Sequence, residues 1–364
     1  MRRIFSLALS LSVVFAVVLL PPARPPSAAC RSVSESNRFG VNEVLGWPGL
    51  YTPERLERSL SLMQAAGIGS VRVTWAWKDM QPQAGDSFDY THLDAVAQSA
   101  AEHHVQILPI LLAVPAWASS APAALKAEKG NLSPVDHYRP NDIQDWLTYV
   151  HNVVERYDGD GIDDAPGSPR MAYWEVWNEE NIALFWPDKP DAAEYLALLK
   201  ATYQTIKAAD PTAKVVLGGL ANADSHYLQA LYDLGGAPYF DVVSIHLYSY
   251  PAHGIDPVVN AVSSIRNLMN ASGDQAKPLW LTEIGWSDAA NAWGAPTVSP
   301  DEIASFVTAV YSAPLPVDLI FWYNFRNIFP NSTDVEHNFG LVNADFTPKP
   351  SFKAYEALSM SCAR

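Results

Sequence analysis

Cysteine is nearly absent: the 364 residues hold two, Cys30 and Cys362. That excludes a disulfide-dense scaffold and a cysteine-rich metal site. Basic residues are also scarce, 24 Lys plus Arg against 39 Asp plus Glu, for a formal charge of −15. So acidic a chain, without a basic patch, is not built to hold a nucleic-acid backbone or an anionic membrane surface. Long apolar runs occur in one place, residues 4–20, behind Arg2 and Arg3 and ahead of the small-residue site Ser27-Ala28-Ala29. The pattern predicts a secretory leader over residues 1–29, with an uncleaved signal anchor as the alternative. No later segment approaches the ~20 apolar residues of a membrane span. Without the leader's Arg2, Arg3 and Arg24, the chain from residue 30 to 364 carries 21 basic residues against 39 acidic ones, near −18. In an exported chain the two cysteines read as a disulfide joining the termini; the alternative is a lipidated Cys30, with Ser27 where a lipobox usually has Leu.

What remains is 49% apolar and globular in profile. Short β-rich runs at 39–42, 70–75, 106–112, 172–177, 214–218, 242–246, 278–282 and 319–322 alternate with helical patterns. Several helices carry start signals: Thr52 with Pro53, Asn141 or Asp142, Asp191, and Ser299 with Pro300, while Gly67 stops the first. A last helix is expected from Ser351. Runs such as Val215-Val216-Leu217 are apolar throughout, as strands covered on both faces require. No glycine-rich nucleotide fingerprint follows the first strand. Eight such units predict an α/β fold, one closed (β/α)₈ TIM barrel over residues 30–364, with a long and functional loop at 114–139.

In such a barrel, catalytic groups sit at the C-terminal strand ends. Strand four runs Trp174-Glu175-Val176-Trp177 into Asn178-Glu179-Glu180-Asn181, and strand seven runs Leu281-Thr282 into Glu283-Ile284-Gly285-Trp286. Two carboxyl groups facing each other across a mouth suit a glycosidic bond, one protonating the leaving oxygen while the other attacks the anomeric carbon. Nine of the 12 tryptophans, namely Trp47, Trp75, Trp77, Trp117, Trp177, Trp186, Trp286, Trp293 and Trp322, fall at strand ends or in the loops after them. Indole faces there would stack on sugar rings. Trp146, Trp174 and Trp280 are expected in the core.

Trp174-Glu175-Val176-Trp177-Asn178-Glu179 and Thr282-Glu283-Ile284-Gly285-Trp286 together resemble the pattern of glycoside hydrolase clan A, most nearly family 39. The resemblance implies a secreted retaining β-glycosidase with Glu179 as general acid/base and Glu283 as nucleophile, needing no cofactor and acting as a monomer on an oligo- or polysaccharide. It also implies that Arg72 holds Glu283 ionised, that Asn178 binds a sugar 2-hydroxyl, that Tyr248 of the His246-x-Tyr248 pair contacts the nucleophile, and that Trp322 is a sugar platform. Two departures stand out. Glu180 occupies the place where the family commonly has Pro, which makes it a rival acid, and fewer than 20 residues follow Phe346, where the family's xylosidases carry an appended β-sandwich, so a compact single-barrel member is expected.

Other readings are weaker. Glu175 is expected as a buried structural acid paired with a cation such as Arg72. A metal-dependent hydrolase would need clustered ligands, and His246 is the only histidine placed at a strand end. The acidic turn from Asp158 through Asp160 to Asp164 has the look of a calcium loop, but it falls on the face away from the site, where a solvated turn is the plainer reading. A carbohydrate-binding protein that has lost turnover is the alternative from another class.

Overall fold

The computed structural model describes residues 38–127, 134–249, 253–289 and 297–362. All eight expected strands are present: β1 (Phe39–Asn42), β2 (Ser70–Ala76), β3 (Gln106–Leu112), β4 (Tyr173–Asn178), β5 (Lys214–Gly219), β6 (Val243–Leu247), β7 (Leu279–Ile284) and β8 (Leu319–Trp322). They pair in parallel in the order β5-β4-β3-β2-β1-β8-β7-β6. Between β5 and β6 the ring closes through a few bonds, with Leu217 N–H donating to Val242 O (3.0 Å) and His246 N–H to Leu220 O (2.9 Å). This is the (β/α)₈ barrel that the patterning predicted. Among the described residues no helix is long and apolar enough to cross a membrane.

The helices are α1 (Pro53–Ala65), α2 (Trp77–Met80), α3 (Thr91–Glu102), α4 (Ala123–Lys126), α5 (Ile143–Arg156), α6 (Ala192–Ala209), α7 (Ser225–Asp233), α8 (Asp256–Ala271), α9 (Pro300–Ser312) and α10 (Pro350–Cys362). Capping decides their ends. Thr52, Asp142 and Asp191 accept first-turn amides, and Ser299 with Glu302 forms a capping box. Gly67, at φ +68°, ends α1 in a Schellman turn: its N–H reaches Gln64 O (3.0 Å), and Ile68 N–H reaches Met63 O (2.9 Å). Tyr90 and Ile255 precede α3 and α8 without a side-chain cap; Asp89 takes the first amide of α3 (2.9 Å), and Pro257 stands in the first turn of α8.

Strand alternation divides the core into two layers. Leu108, Val216, Val242, Trp280, Leu319 and Phe321 fill the barrel lumen, whereas Ile320 and Trp322 belong to the larger layer between strands and helices. Trp146 and Trp174 are buried in that outer layer, and Trp280 in the lumen. Cys362 closes α10, but Cys30, its expected partner, lies outside the described residues, as do the leader and Trp293.

Of the loop at 114–139, the described residues join its two ends through Val114 N–H on Asp136 O (3.0 Å) and set the His137 ring on Phe185 of the loop after β4, centroids 4.5 Å apart. The acidic turn brings oxygens of Asp158, Asp160 and Asp164 within 4.8 Å of one another. Those oxygens accept amides of the turn itself, including Asp160 N–H on Asp158 (3.1 Å), Gly161 N–H on Asp164 (2.9 Å) and Ile162 N–H on Asp160 (2.8 Å).

Candidate active site

Arg72 is the hub of the mouth. It points into the lumen from β2, and its guanidinium spends all five N–H donors on four neighbours. Nε and Nη2 hold Glu175 (2.6 and 2.9 Å), Nη2 also reaches Asn178 Oδ1 (2.7 Å), and Nη1 reaches Asn42 Oδ1 (3.0 Å) and Glu283 Oε1 (2.7 Å). Glu175 is fully buried and is the structural acid paired with Arg72 that its place in strand four led us to expect. Asn42 was not foreseen. It ends β1 and ties the hub to β7 by donating from Nδ2 to Thr282 O (2.9 Å).

Glu175 and Asn178 sit three residues apart on β4, yet both reach Arg72. A strand in strict alternation cannot do this. Trp177 takes a left-handed φ of +75°, which turns its indole outward onto Trp146 and Trp186 and returns Asn178 to the lumen. Glu179 follows with φ +49°. Left-handed backbone at two non-glycine residues costs about 1–3 kcal/mol each and persists only where the surroundings enforce it. Here Trp177 Nε1–H bonds Phe185 O (2.7 Å), and Glu179 N–H bonds Gly219 O (3.1 Å). On the far side of the barrel the register shifts between Ile245 and His246 in β6, and between Leu281 and Ile284 in β7. Such irregularities at strand ends re-aim side chains, and they bring His246 and Glu283 side by side facing the mouth.

The result is a compact constellation. Glu179 Oε1 accepts from His246 Nδ1 (2.8 Å), which also lies 3.5 Å from Glu283 Oε2. Glu283 Oε2 accepts from the Tyr248 hydroxyl (2.6 Å). One oxygen of each glutamate and a ring nitrogen of His246 fall within 4.8 Å of one another, close enough to share a cation as well as a substrate. Both glutamate side chains are 13% exposed, while His246 is sealed beneath them. Burial pushes Glu283 up, but the charges of His246 and Arg72 and the hydrogen bonds from Tyr248 and Arg72 outweigh it, so its carboxyl is held below the ordinary range. Burial and the adjacent Glu283 charge push the Tyr248 phenol well up, which keeps it a donor.

Gly219 makes this packing possible. A Cβ there would stand 2.0 Å from His246 Nε2. The tandem Gly218-Gly219 at the end of a predicted strand was the available signal, because glycine inside a strand marks a close approach.

The aromatic rim is corrected by the structure. Trp77 is buried, stacked on Tyr149 at 5.3 Å, with Nε1–H bonded to Gln81 Oε1 (3.0 Å). Trp286 stacks on Phe306 of α9 at 4.5 Å, and Trp322 is buried against Trp286. None of the three opens a face to the mouth, since alternation and the loop turns send them to the helix side. Of the strand-end tryptophans that are described, Trp47 alone is exposed. The aromatic wall of the mouth is instead Tyr248, Tyr323 and Phe339, packed edge to face with centroids 5.3–6.2 Å apart. Tyr323, one residue beyond Trp322, is the strand-eight aromatic on the mouth side, and burial and the Glu283 charge raise its phenol. Glu180, the rival acid, does not face the mouth either: it is fully buried.

Glu43 follows Asn42 into the interior, where Oε1 accepts Val44 N–H (2.9 Å). Burial pushes its carboxyl up to about 7 against the opposing charge of Arg326. An acid raised by folding stabilises the fold below its unfolded pKa and loses that contribution as pH rises through its folded one. In urea melts the unaltered protein should therefore lose about 3 kcal/mol more stability between about pH 4 and pH 8 than Glu43→Gln, whose slope is flatter by that amount. The same slope in the variant would assign it to other groups.

A barrel with paired carboxyl groups at the ends of strands four and seven, one held ionised and one bonded to a strand-six histidine, is a fold and site of the glycoside hydrolase class. The sequence matches Glycosyl hydrolases family 39 over residues 53–361, and the chain belongs to that family. The β-xylosidase of Caldicellulosiruptor saccharolyticus is 24% identical over 300 residues, covering 75% of this chain and 56% of its own. The β-xylosidase of Geobacillus stearothermophilus is 25% identical over 301 residues, covering 74% and 55%. The chain thus spans little more than half the length of these relatives. Among solved structures, the family 39 enzyme of Xanthomonas axonopodis pv. citri superposes with a TM-score of 0.71 at 20% identity, over 92% of this chain and 70% of that one. A monomeric β-xylosidase of Caulobacter crescentus CB15 gives 0.68 at 21% identity, over 90% and 68%. At such identities the structural likeness is one of fold.

Proposed function

We propose that the protein is a retaining β-glycosidase acting on an oligo- or polysaccharide, with Glu283 as nucleophile and Glu179 as acid/base. The observation that carries this reading is that one oxygen of each carboxyl lies within 4.8 Å of the other, both above His246 Nδ1, which is 2.8 Å from Glu179 and 3.5 Å from Glu283. Retention needs carboxyls about 5–5.5 Å apart, whereas inversion needs about 6.5–9.5 Å to admit a water between sugar and base. In the first step Glu283 attacks the anomeric carbon as Glu179 passes its proton to the departing oxygen. In the second, Glu179 takes a proton from water, and the hydroxide so formed displaces Glu283 from the sugar. Arg72 and Tyr248 keep Glu283 charged and oriented for attack. Asn178 has its Oδ1 committed to Arg72, so what it offers a sugar 2-hydroxyl is its amide N–H.

The related β-xylosidases make a β-linked pentoside a first substrate to try. Export and a monomeric state belong to the proposal as well, supported by the leader pattern of residues 1–29 and by the monomeric relative. Binding without turnover draws no support from a site in which both carboxyls have their supporting bonds. The test is hydrolysis of aryl β-glycosides and β-linked polysaccharides, following the first-formed anomer by NMR. The β-anomer is expected first, and activity should persist in acid until the pH falls below the ordinary carboxylate range, because Glu283 is held ionised. First appearance of the α-anomer would overturn retention.

A further inference from the structure

Glu180 is unused by this chemistry, and its surroundings are unusual. It is fully buried behind β4 and β5, and among the described residues neither carboxyl oxygen has a donor at ordinary hydrogen-bond geometry. The Tyr195 hydroxyl beside it donates to Val176 O (2.9 Å) and accepts from Gly218 N–H (3.0 Å). The carboxyl rests on the bare Cα of Gly218, where a Cβ would stand 2.1 Å from Glu180 Oε2. Tyr227 flanks it without a partner for its own hydroxyl, and the remaining ionisable neighbours, Glu175 and Glu179, are both acids. Burial, reinforced by the Glu175 and Glu179 charges and only partly opposed by its own amide and the Tyr195 hydroxyl, raises the Glu180 carboxyl well above the ordinary range.

The backbone explains why a side chain should be locked there. Glu179 sits in the left-handed region, its amide bonded to Gly219 O and its carbonyl accepting from Ile182 N–H (3.0 Å). The left-handed turn at Glu179 sends the two neighbouring side chains apart, Glu179 to His246 in the mouth and Glu180 under Gly218. The two glycines of β5 divide the work. Gly219 admits His246, the partner of Glu179 in the mouth, and Gly218 admits Glu180 behind the sheet.

We propose that Glu180 is a positioning residue for the acid/base: a buried carboxyl seated in the Gly218 cradle that fixes the turn at Glu179 and with it the path of the proton to the leaving oxygen. The proposal rests on the reading of Glu179 as acid/base. A misplaced acid penalises poor leaving groups, which need the proton, and spares good ones, which do not.

The full chain and its variants are therefore compared on dinitrophenyl, nitrophenyl and phenyl β-glycosides of the sugar that the unaltered protein hydrolyses fastest, reading kcat/KM against leaving-group acidity together with the pH profile. Glu179→Gln sets the reference, with phenyl glycoside hydrolysis depressed by about 10²–10⁴-fold and dinitrophenyl hydrolysis nearly untouched. Glu180→Ala and Gly218→Ala are expected to steepen the dependence in the same sense, by about 10- to 100-fold on the phenyl glycoside. Glu180→Gln, neutral and of the same shape, should keep the slope and the alkaline limb of the unaltered protein. A parallel loss on all leaving groups in Glu180→Ala and Gly218→Ala, or no loss on any, would overturn the proposal. So would a shifted alkaline limb in Glu180→Gln, which is readable even where the other two variants fail to fold. A flat dependence in Glu179→Gln would instead remove the acid/base assignment itself.

Discussion

Replacing Glu283 with Gln is expected to lower turnover by on the order of 10⁴-fold or more, with little change in the melting curve. The effect on rate is large because an amide cannot form the glycosyl intermediate. The effect on stability is small because Arg72 keeps its two bonds to Glu175 and those to Asn178 and Asn42 when Glu283 becomes neutral. Tyr248 can still donate to the amide oxygen in place of Glu283 Oε2. The pairing of lost rate with kept stability distinguishes a nucleophile from a structural acid. Near-normal release of reducing sugar by Glu283→Gln would remove the nucleophile assignment, and an unfolded variant would show that the carboxylate is mainly structural.

Arg72→Met reverses the balance and should destabilise the fold by about 3–5 kcal/mol at neutral pH. Arg72 and Glu175 are both buried, so the truncation leaves Glu175 as a charge with neither water nor a cation beside it. Glu283 loses one of the groups that oppose its burial, and its carboxyl rises toward protonation. The sign of the pH dependence follows. The loss is largest where both carboxylates are ionised and shrinks as pH falls and they take up protons, so the urea midpoints of variant and unaltered protein should converge in acid. Equal midpoints at neutral pH would mean that the hub contributes orientation alone.

The comparison of Glu179 with Glu180 shows where reading a sequence stops. Both are glutamates at the end of the same strand, and pattern alone allowed either as the acid. The difference lies in the backbone: Trp177 at φ +75° and Glu179 at φ +49° break the two-residue period, sending one carboxyl to His246 and the other under Gly218. The aromatic platform was misplaced although strand eight keeps its period. The family resemblance made Trp322 the sugar-facing residue, but Leu319 and Phe321 occupy the lumen, so Trp322 packs outward on Trp286 and Tyr323 faces the mouth.

Patterning was most reliable where it rested on local physics. Apolar strand runs, the Thr52, Asp191 and Ser299 caps, and the Gly67 stop each follow from interactions within a few residues, and these determined eight β/α units and hence the barrel. The flanks of Glu179 and Glu283 likewise determined the family. What only the tertiary structure decided was which groups meet: Asn42 of β1 with Arg72, His246 with both glutamates, and Gly218 and Gly219 with the side chains they admit. Those meetings depend on left-handed residues and register shifts at strand ends. Such features cost free energy locally and are repaid by bonds from elements distant in the chain, so no window of sequence contains their cause.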